Sequence, residues 1–471
     1  MNSKNIWIPT CILTVLLLSS ENAICQEVSK INHGESNISD SLFSKDLNYM
    51  EKLYGLSLLW KEIDYNFAYF SGVPELNWDQ TYRDFIPRVI ETKSTYAYYR
   101  ELQRFCAMLK DGHTLIVGPD FVTRSIDRPK IEIQAIDKHA IIVNAGESEL
   151  QQVPIGSEIL KIDGISMDDY LNQKVFPYIS SSTNQYLWNK GISNSLEGLK
   201  GSKVNVSIRT PSGKIENIEL LRNSSLTDEK WTRKSFSNRD LLEFRWLKDS
   251  IGYLALNSFL NGQIIEDFWK NINELYRCKG LVIDLRNNGG GNSPIGYEIL
   301  KQFTDKPLND LKWYTRSHIA AYKAFGKWDK SYENYFTGNA WMKGDSDLIV
   351  PSNGRKIKAP LVVLIGPETF SAAEDFLAVM ESIKKDRNIV FIGKKTGGST
   401  GSPLFVDMPG GGTAYICAIK CTFPDGRNLI GYGVSPDIEI ENTAMDIQNN
   451  VDAVLNKAFD LLLQKTGQIS K

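Results

Sequence analysis

Only four histidines occur in the 471 residues of this chain, His33, His113, His139 and His318, so chemistry that needs an imidazole has few places to be. Cysteine is almost as scarce at six, and no CxxC or His/Cys cluster offers the usual zinc spacing. Basic and acidic residues nearly cancel at 54 against 56, which leaves no electrostatic case for nucleic acid or an anionic membrane surface. No apolar run reaches the roughly 20 residues of a membrane span. The Gly-Lys-Ser/Thr of a P-loop and the spaced glycines of a Rossmann fingerprint are also missing. Nothing in the chain implies a metal or an organic cofactor.

What is present begins with an apolar stretch from about Ile6 to Leu18, preceded by Lys4 and interrupted by Pro9, Thr10 and Thr14. It has the form of a secretory signal peptide over 1–25, with Ala23 and Cys25 at the small-residue positions before Gln26. We therefore expect an exported, periplasmic protein. Lipid attachment at Cys25 is the alternative, disfavoured by the bulky Ile24. Export leaves Cys106, Cys278, Cys417 and Cys421, for which a disulfide is permitted and burial is the plainer expectation. Cys417 and Cys421 sit in one alternating run, TAYICAIKCTF, and four strand residues span about 13 Å, too far to bridge.

A polar leader over 26–41 precedes a helical, aromatic region over 42–118, where LYGLSLLWKEIDYNFAYF and YYRELQRFCAMLKDGH carry apolar residues at helical spacing until Gly112. Over 121–222 the period changes to that of strands, in KIEIQAI, HAIIVNA, EILKIDG and KVNVSIRTPSGKIENIELL. The stretch PIGSEILKIDGISMDDYL resembles the corresponding segment of PDZ domains, although other small β domains carry such runs. Residues 240–445 read as an α/β core in which GYLALNSF, GLVIDLR, PLVVLIG and NIVFIG alternate with helices, as a mainly parallel sheet requires. An aromatic insertion over 304–358 fits a binding element or a packed cover, and a helix is expected over 446–471.

Two segments carry candidate chemistry. In GPETFSAAEDF (Gly366–Phe376) Ser371 stands where a buried strand hands over to a helix, near free N–H groups and the positive end of the helix dipole. Ser371-x-x-Glu374 is equally a capping box, the commoner use of a serine at a helix start. In GLVIDLRNNGGG (Gly280–Gly291) glycines follow a strand and let backbone N–H groups approach an anion; a plain turn is the alternative. A serine nucleophile needs a base. Among the histidines, His113 is the one at a helix-to-strand turn, in LKDGHTLI, where a side chain can enter a cleft.

Taken in order, DGHT, IDLRNNGGG, ETFSAAEDF, TGGSTG and GYGVSPDIEI resemble the carboxyl-terminal processing (tail-specific) and tricorn-type serine peptidases, over about Leu42 to Glu441. The resemblance implies a crotonase-like (ClpP-like) α/β core with a helical N-terminal domain and an inserted PDZ-like β domain. It implies an endopeptidase acting on peptides or tail-exposed proteins. It makes Ser371 the nucleophile, Gly290 with Gly289 the oxyanion-hole glycines, and Ala372 N–H the second donor. The tail-specific branch places a lysine base where Ser399 stands here, with Lys394 and Lys395 shortly before it; the tricorn-type branch uses a histidine at the position of His113. Two positions depart from the pattern: Gly112 stands for a serine, and Ile430 for the acid that orients the base. Asp425 and Asp111 are candidate substitutes for that acid, and Glu374 is expected to hold the helix start. A catalytically silent peptide-binding protein on the same fold, and an esterase-like hydrolase, are the rival readings.

Overall fold

The structure is a computed structural model that describes residues 46–233 and 239–467; the expected signal peptide and leader, with His33, lie outside the described residues. Three helices come first: α1 (Tyr49–Asn66), α2 (Trp78–Ile90) and α3 (Thr95–Ala107). Asn48 and Glu51 form a reciprocal capping box on α1, satisfying N–H groups that a helix start leaves open. Leu56, Leu59 and Ile63 of α1 pack with Phe85 and Val89 of α2 and Leu102 and Phe105 of α3 in one apolar core. Helix α3 ends at Ala107, five residues before Gly112, because Lys110 takes the left-handed turn (φ 50°) that redirects the chain. Asp111–Thr114 then lead into β1 (Leu115–Val117).

A separate antiparallel sheet comes next. Its strands β2 (Ile131–Ile136), β3 (His139–Ala145), β4 (Glu158–Ile162), β5 (Lys203–Arg209) and β6 (Ile215–Leu221) lie side by side in chain order. Helix α4 (Asn184–Ser193) covers it over a core that includes Ile131, Ile142, Ile159 and Val206.

The remaining chain builds a six-stranded sheet. β7 (Leu242–Trp246) is antiparallel to β8 (Ile251–Leu256); β8 then runs parallel to β9 (Gly280–Asp284), with α5 (Gln263–Leu275) between them. After α6 (Ser293–Leu300), the insertion contributes β10 (Lys312–Arg316) and β11 (Trp341–Lys343), and the parallel sheet resumes with β12 (Leu361–Ile365), α7 (Ala372–Lys384) and β13 (Val390–Gly393). Leu281 and Ile283 face one apolar core while Val282 faces the other, so both faces of the sheet are covered and its strands read as unbroken apolar runs.

Strands β14 (Pro403–Met408) and β15 (Gly412–Cys417) form a hairpin, β16 (Ile419–Thr422) joins β10, and β17 (Ile438–Glu439) completes the parallel sheet. The single strand expected through TAYICAIKCTF is thus two, parted at Ala418, and Cys106, Cys278, Cys417 and Cys421 are all free and buried. The tail is also two helices in place of one, α8 (Ala444–Gln448) and α9 (Ala453–Lys465), because Thr443 and Asp452 each cap a new start. Among the described residues no helix is long and apolar enough to cross a membrane.

The turn that carries His113 is anchored by the strand after it. β1 runs antiparallel to β15, with Leu115 opposite Tyr415, Ile116 opposite Ala414 and Val117 opposite Thr413. Ile116 is 3% exposed and belongs to the helical core. Ile116→Ala is expected to cost about 2–5 kcal/mol of unfolding free energy, read from the urea midpoint, the range for truncating a well-packed buried aliphatic. A loss below about 0.5 kcal/mol would mean that this strand does not anchor the turn before it.

Candidate active site

Ser371 lies at the end of the turn between β12 and α7, in a backbone conformation (φ 54°, ψ −126°) that side-chain-bearing residues seldom adopt. Long-range hydrogen bonds hold it there. Ser371 N–H donates to Ser399 C=O at 3.0 Å, and Phe370 N–H to Asn288 C=O at 3.0 Å. Thr369 Oγ1 donates to Leu285 C=O at 2.8 Å, tying the turn to the end of β9. The Ser371 side chain makes no cap bond to α7, so the capping-box expectation is corrected: the strained backbone turns the hydroxyl away from the helix N–H groups.

That hydroxyl meets His113. Ser371 Oγ and His113 Nε2 are 3.0 Å apart, although 258 residues separate them in the chain. The other ring nitrogen, Nδ1, lies 2.7 Å from Ser399 Oγ. The imidazole stacks on Phe370 at 4.9 Å and 7°, and Phe370 stacks in turn on Tyr186 at the start of α4. This packing shields much of the ring from water, and burial lowers its pKa to about 4, so the imidazole is neutral at pH 7 and able to take a proton. Gly112 finds its reason here: a Cβ at that position would stand 2.9 Å from the Phe370 ring and 3.2 Å from Ser399 Cβ, so a serine would not fit.

Of the glycines, Gly290 is pressed against the site, with its absent Cβ position 2.6 Å from Ser371 Cβ and 2.9 Å from Ala372 N. Its N–H, however, donates to Asn288 Oδ1 at 2.9 Å. The expectation of a free Gly290 donor is corrected accordingly. Ala372 N–H and Gly291 N–H have no acceptor among the described residues, and Gly289 is exposed with open space beside it. Asn288 is fully buried and also donates to Leu256 C=O, so the Gly-rich loop is a rigid, cross-braced turn.

The expected acids lie elsewhere. Asp425 is exposed and paired with Arg427 at 2.7 Å, which removes it as the partner of His113. Asp111 is buried and accepts from the His113 and Thr114 backbone or side-chain donors, with His113 N–H at 3.2 Å and Thr114 Oγ1 at 2.7 Å, so it shapes the turn without touching the imidazole. Glu374, fully buried, turns away from the helix start. Its carboxyl accepts from Thr396 Oγ1, from Gly398 N–H at 2.8 Å and from Ser399 N–H at 2.9 Å. Burial pushes it up to about 8 against the pull of these donors. Lys394 is engaged with Glu439 and Glu441, both at 3.0 Å, and Lys395 is exposed, so neither serves a Ser/Lys pair. His139 pairs with Glu158 and His318 stacks on Tyr65.

The structure therefore brings Ser371, His113, Gly290 and Ala372 together and leaves Asp425 outside. Sequence reasoning missed Ser399 as the partner of Nδ1, treating it only as the place of an absent lysine; a polar residue at that place was the available signal. Phe370, Tyr186 and Asn288 carried no signal beyond their composition. Among the described residues no group of three or more His, Cys, Asp or Glu is arranged to hold a metal ion.

A serine hydroxyl bonded to a neutral imidazole, beside an unpaired helix-start N–H, is equipment for nucleophilic attack on an acyl carbonyl. Residues 250–440, which hold Ser371, Glu374, Ser399 and the Gly-rich loop, match the model of peptidase family S41. His113 lies outside the matched residues. The chain is 20% identical over 395 residues to the carboxyl-terminal-processing protease of a Picosynechococcus species, covering 82% of this chain and 84% of that protein. It is 26% identical over 198 residues to the chloroplastic C-terminal processing peptidase of Tetradesmus obliquus, covering 41% of this chain and 36% of the relative. The crystal structure of mature CPAF shares its fold, with a TM-score of 0.69 over 90% of this chain and 99% of that one at 15% identity.

The neutral state of His113 has a measurable cost in acid. An unfolded histidine takes a proton near pH 6.5, while the folded one resists until about pH 4, so stability contributed near neutrality is lost as pH falls through that window. His113→Gln removes this term. Relative to the parent, the variant should gain on the order of 1–2 kcal/mol in urea unfolding between pH 7.5 and pH 5. An unchanged difference at the two pH values would show that the ring is not desolvated.

Proposed function

We propose that this chain is a serine endopeptidase in which His113 is the base and Ser371 the nucleophile, acting on peptides or unfolded and tail-exposed proteins. The observation that carries the proposal is the 3.0 Å contact of Ser371 Oγ with a neutral imidazole. As Oγ attacks a peptide carbonyl, its proton passes to Nε2 and the new oxyanion accepts from Ala372 N–H. The second donor is a glycine of the 289–291 loop, either Gly291 or Gly290 after it releases Asn288. Collapse of the tetrahedral intermediate breaks the C–N bond, and Nε2 returns the proton to the leaving amine. Water then repeats the sequence on the acyl-enzyme, with Nε2 as base, and frees Ser371.

We read the small β domain as PDZ-like, holding a substrate carboxyl terminus by strand addition. Its edge strand β2, flanked by α4, supports that reading. The apolar stretch near the N-terminus supports export to the periplasm. Two observations favour a second reading, a catalytically silent peptide-binding protein: Gly290 N–H is engaged by Asn288, and Nδ1 of His113 faces a hydroxyl where a carboxylate would give more support.

A fluorophosphonate probe and a set of unfolded peptides separate the two. The enzyme reading expects labelling and cleavage by the parent, neither by Ser371→Ala, and a loss of about 10²–10⁴-fold in kcat for His113→Ala. It also expects the acid limb of kcat/KM to fall below pH 6.5, because the base stays neutral until about pH 4. A parent protein that is neither labelled nor able to cleave any peptide would favour the silent reading. An active His113→Ala would assign the base elsewhere.

A further inference from the structure

A neutral imidazole carries one proton and can place it on either nitrogen, and only the tautomer with Nδ1–H leaves Nε2 free to receive the proton of Ser371. Whatever meets Nδ1 therefore decides whether the pair can work. Among the described residues no carboxylate makes that contact. Asp111 is spent on the turn around His113, and Glu374 on the 396–399 segment. The atom at Nδ1 is Ser399 Oγ, at 2.7 Å.

Ser399 is fully buried and bonded through three different groups. Its N–H donates to Glu374 Oε2 at 2.9 Å, its C=O accepts from Ser371 N–H at 3.0 Å, and its hydroxyl meets the ring of His113. One residue thus fixes the strained backbone of the nucleophile and the orientation of the base at once. Glu374 lies one helical turn beyond Ser371 on α7, and its buried carboxyl grips Thr396, Gly398 and Ser399 together. Thr396 Oγ1 also accepts Val434 N–H at 2.7 Å, which leaves its hydroxyl proton for Glu374. The grip runs from α7 through the 396–399 segment to the imidazole without a carboxylate touching the ring.

We propose that Ser399 is the positioning residue of His113, its hydroxyl accepting Nδ1–H so that Nε2 faces Ser371, and that Glu374 acts through Ser399 by fixing the 396–399 segment. The proposal rests on the serine peptidase reading for its kinetic consequence but not for its tautomer. Ser399 takes over the orienting role that Asp425 and Asp111 do not fill. A hydroxyl supports the imidazolium formed during attack by a dipole and not by a full charge, so its removal should cost less than loss of a triad carboxylate.

Ser399→Ala deletes only Oγ and keeps the N–H and C=O that hold Glu374 and Ser371. In the parent labelled with ¹⁵N-histidine, and assigned with His113→Gln, the Nδ1 signal of His113 is expected at the protonated position and Nε2 at the unprotonated one at pH 7. In Ser399→Ala the two signals should move towards a mixture of tautomers. On peptide substrates kcat should fall about 10²-fold with KM within about twofold, and fluorophosphonate labelling should slow in parallel. The proposal is overturned by a protonated Nε2 in the parent, a measurement that needs no variant to fold, or by a Ser399→Ala variant with unchanged tautomer and kcat. A parent that shows the Ser399-dependent tautomer yet neither cleaves nor labels would retain the positioning role and reject the peptidase reading.

Discussion

The antiparallel pairing of Leu115–Val117 with Gly412–Cys417 is the constraint on which the site depends. It fastens the end of the helical region to a hairpin that follows the 396–399 segment, and so delivers His113 to a serine 258 residues away. Side-chain bonds reinforce the join: Thr114 Oγ1 accepts Cys417 N–H at 3.0 Å while donating to Asp111, and Cys417 C=O accepts Ala68 N–H at 2.9 Å. Because these partners are buried, an imperfect pairing would leave unsatisfied polar groups and not a merely looser turn. The register of a three-residue strand thus helps to set the distance between Ser371 and His113.

Around that contact, rigidity comes from backbone groups bonded far along the chain. Ser371 holds an uncommon φ because Ser399 C=O takes its N–H and Asn288 C=O takes that of Phe370. Such strain persists only where several contacts over-determine it. The same packing shields the imidazole from much of the solvent. Phe370 and Tyr186 stack beside it, and Gly112 lets them approach, so the imidazole is kept neutral by desolvation and not by a charged neighbour. In the proposed mechanism, a neutral base with a hydroxyl partner and a structural carboxyl one step further back would distribute among three residues the work that a triad gives to two.

The small β domain is tied to this centre through α4. Thr183 Oγ1 donates to Gly397 C=O at 2.7 Å, Gln185 Nε2 to Thr396 C=O at 3.0 Å, and Asn189 to Glu368. Ser182 Oγ accepts Gly112 N–H at 2.9 Å. The segments on either side of Ser371 and His113 are therefore braced by a helix belonging to a different core, and the aromatic stack ends on that helix at Tyr186.

Sequence alone determined the local features: the doubly buried strands around PLVVLIG, the helix that starts at Ser371, the glycines after GLVIDLR and the turn that carries His113. These are legible because strand and helix periodicity, and the backbone freedom of glycine, act over a few residues. Tertiary structure alone decided which groups face one another. The scarcity of histidine narrowed the candidate base to His113, but nothing local could show that Ser399 would meet Nδ1, that Asn288 would engage Gly290, or that Glu374 would leave the helix start for the 396–399 segment. Those outcomes hang on side-chain directions at non-repeating turns, where φ and ψ are set by bonds to residues tens or hundreds of positions away. The Ser-x-x-Glu pattern looks like a cap in one dimension; a positive φ at Ser371, imposed from Ser399, turns its hydroxyl to His113 with the glutamate behind it.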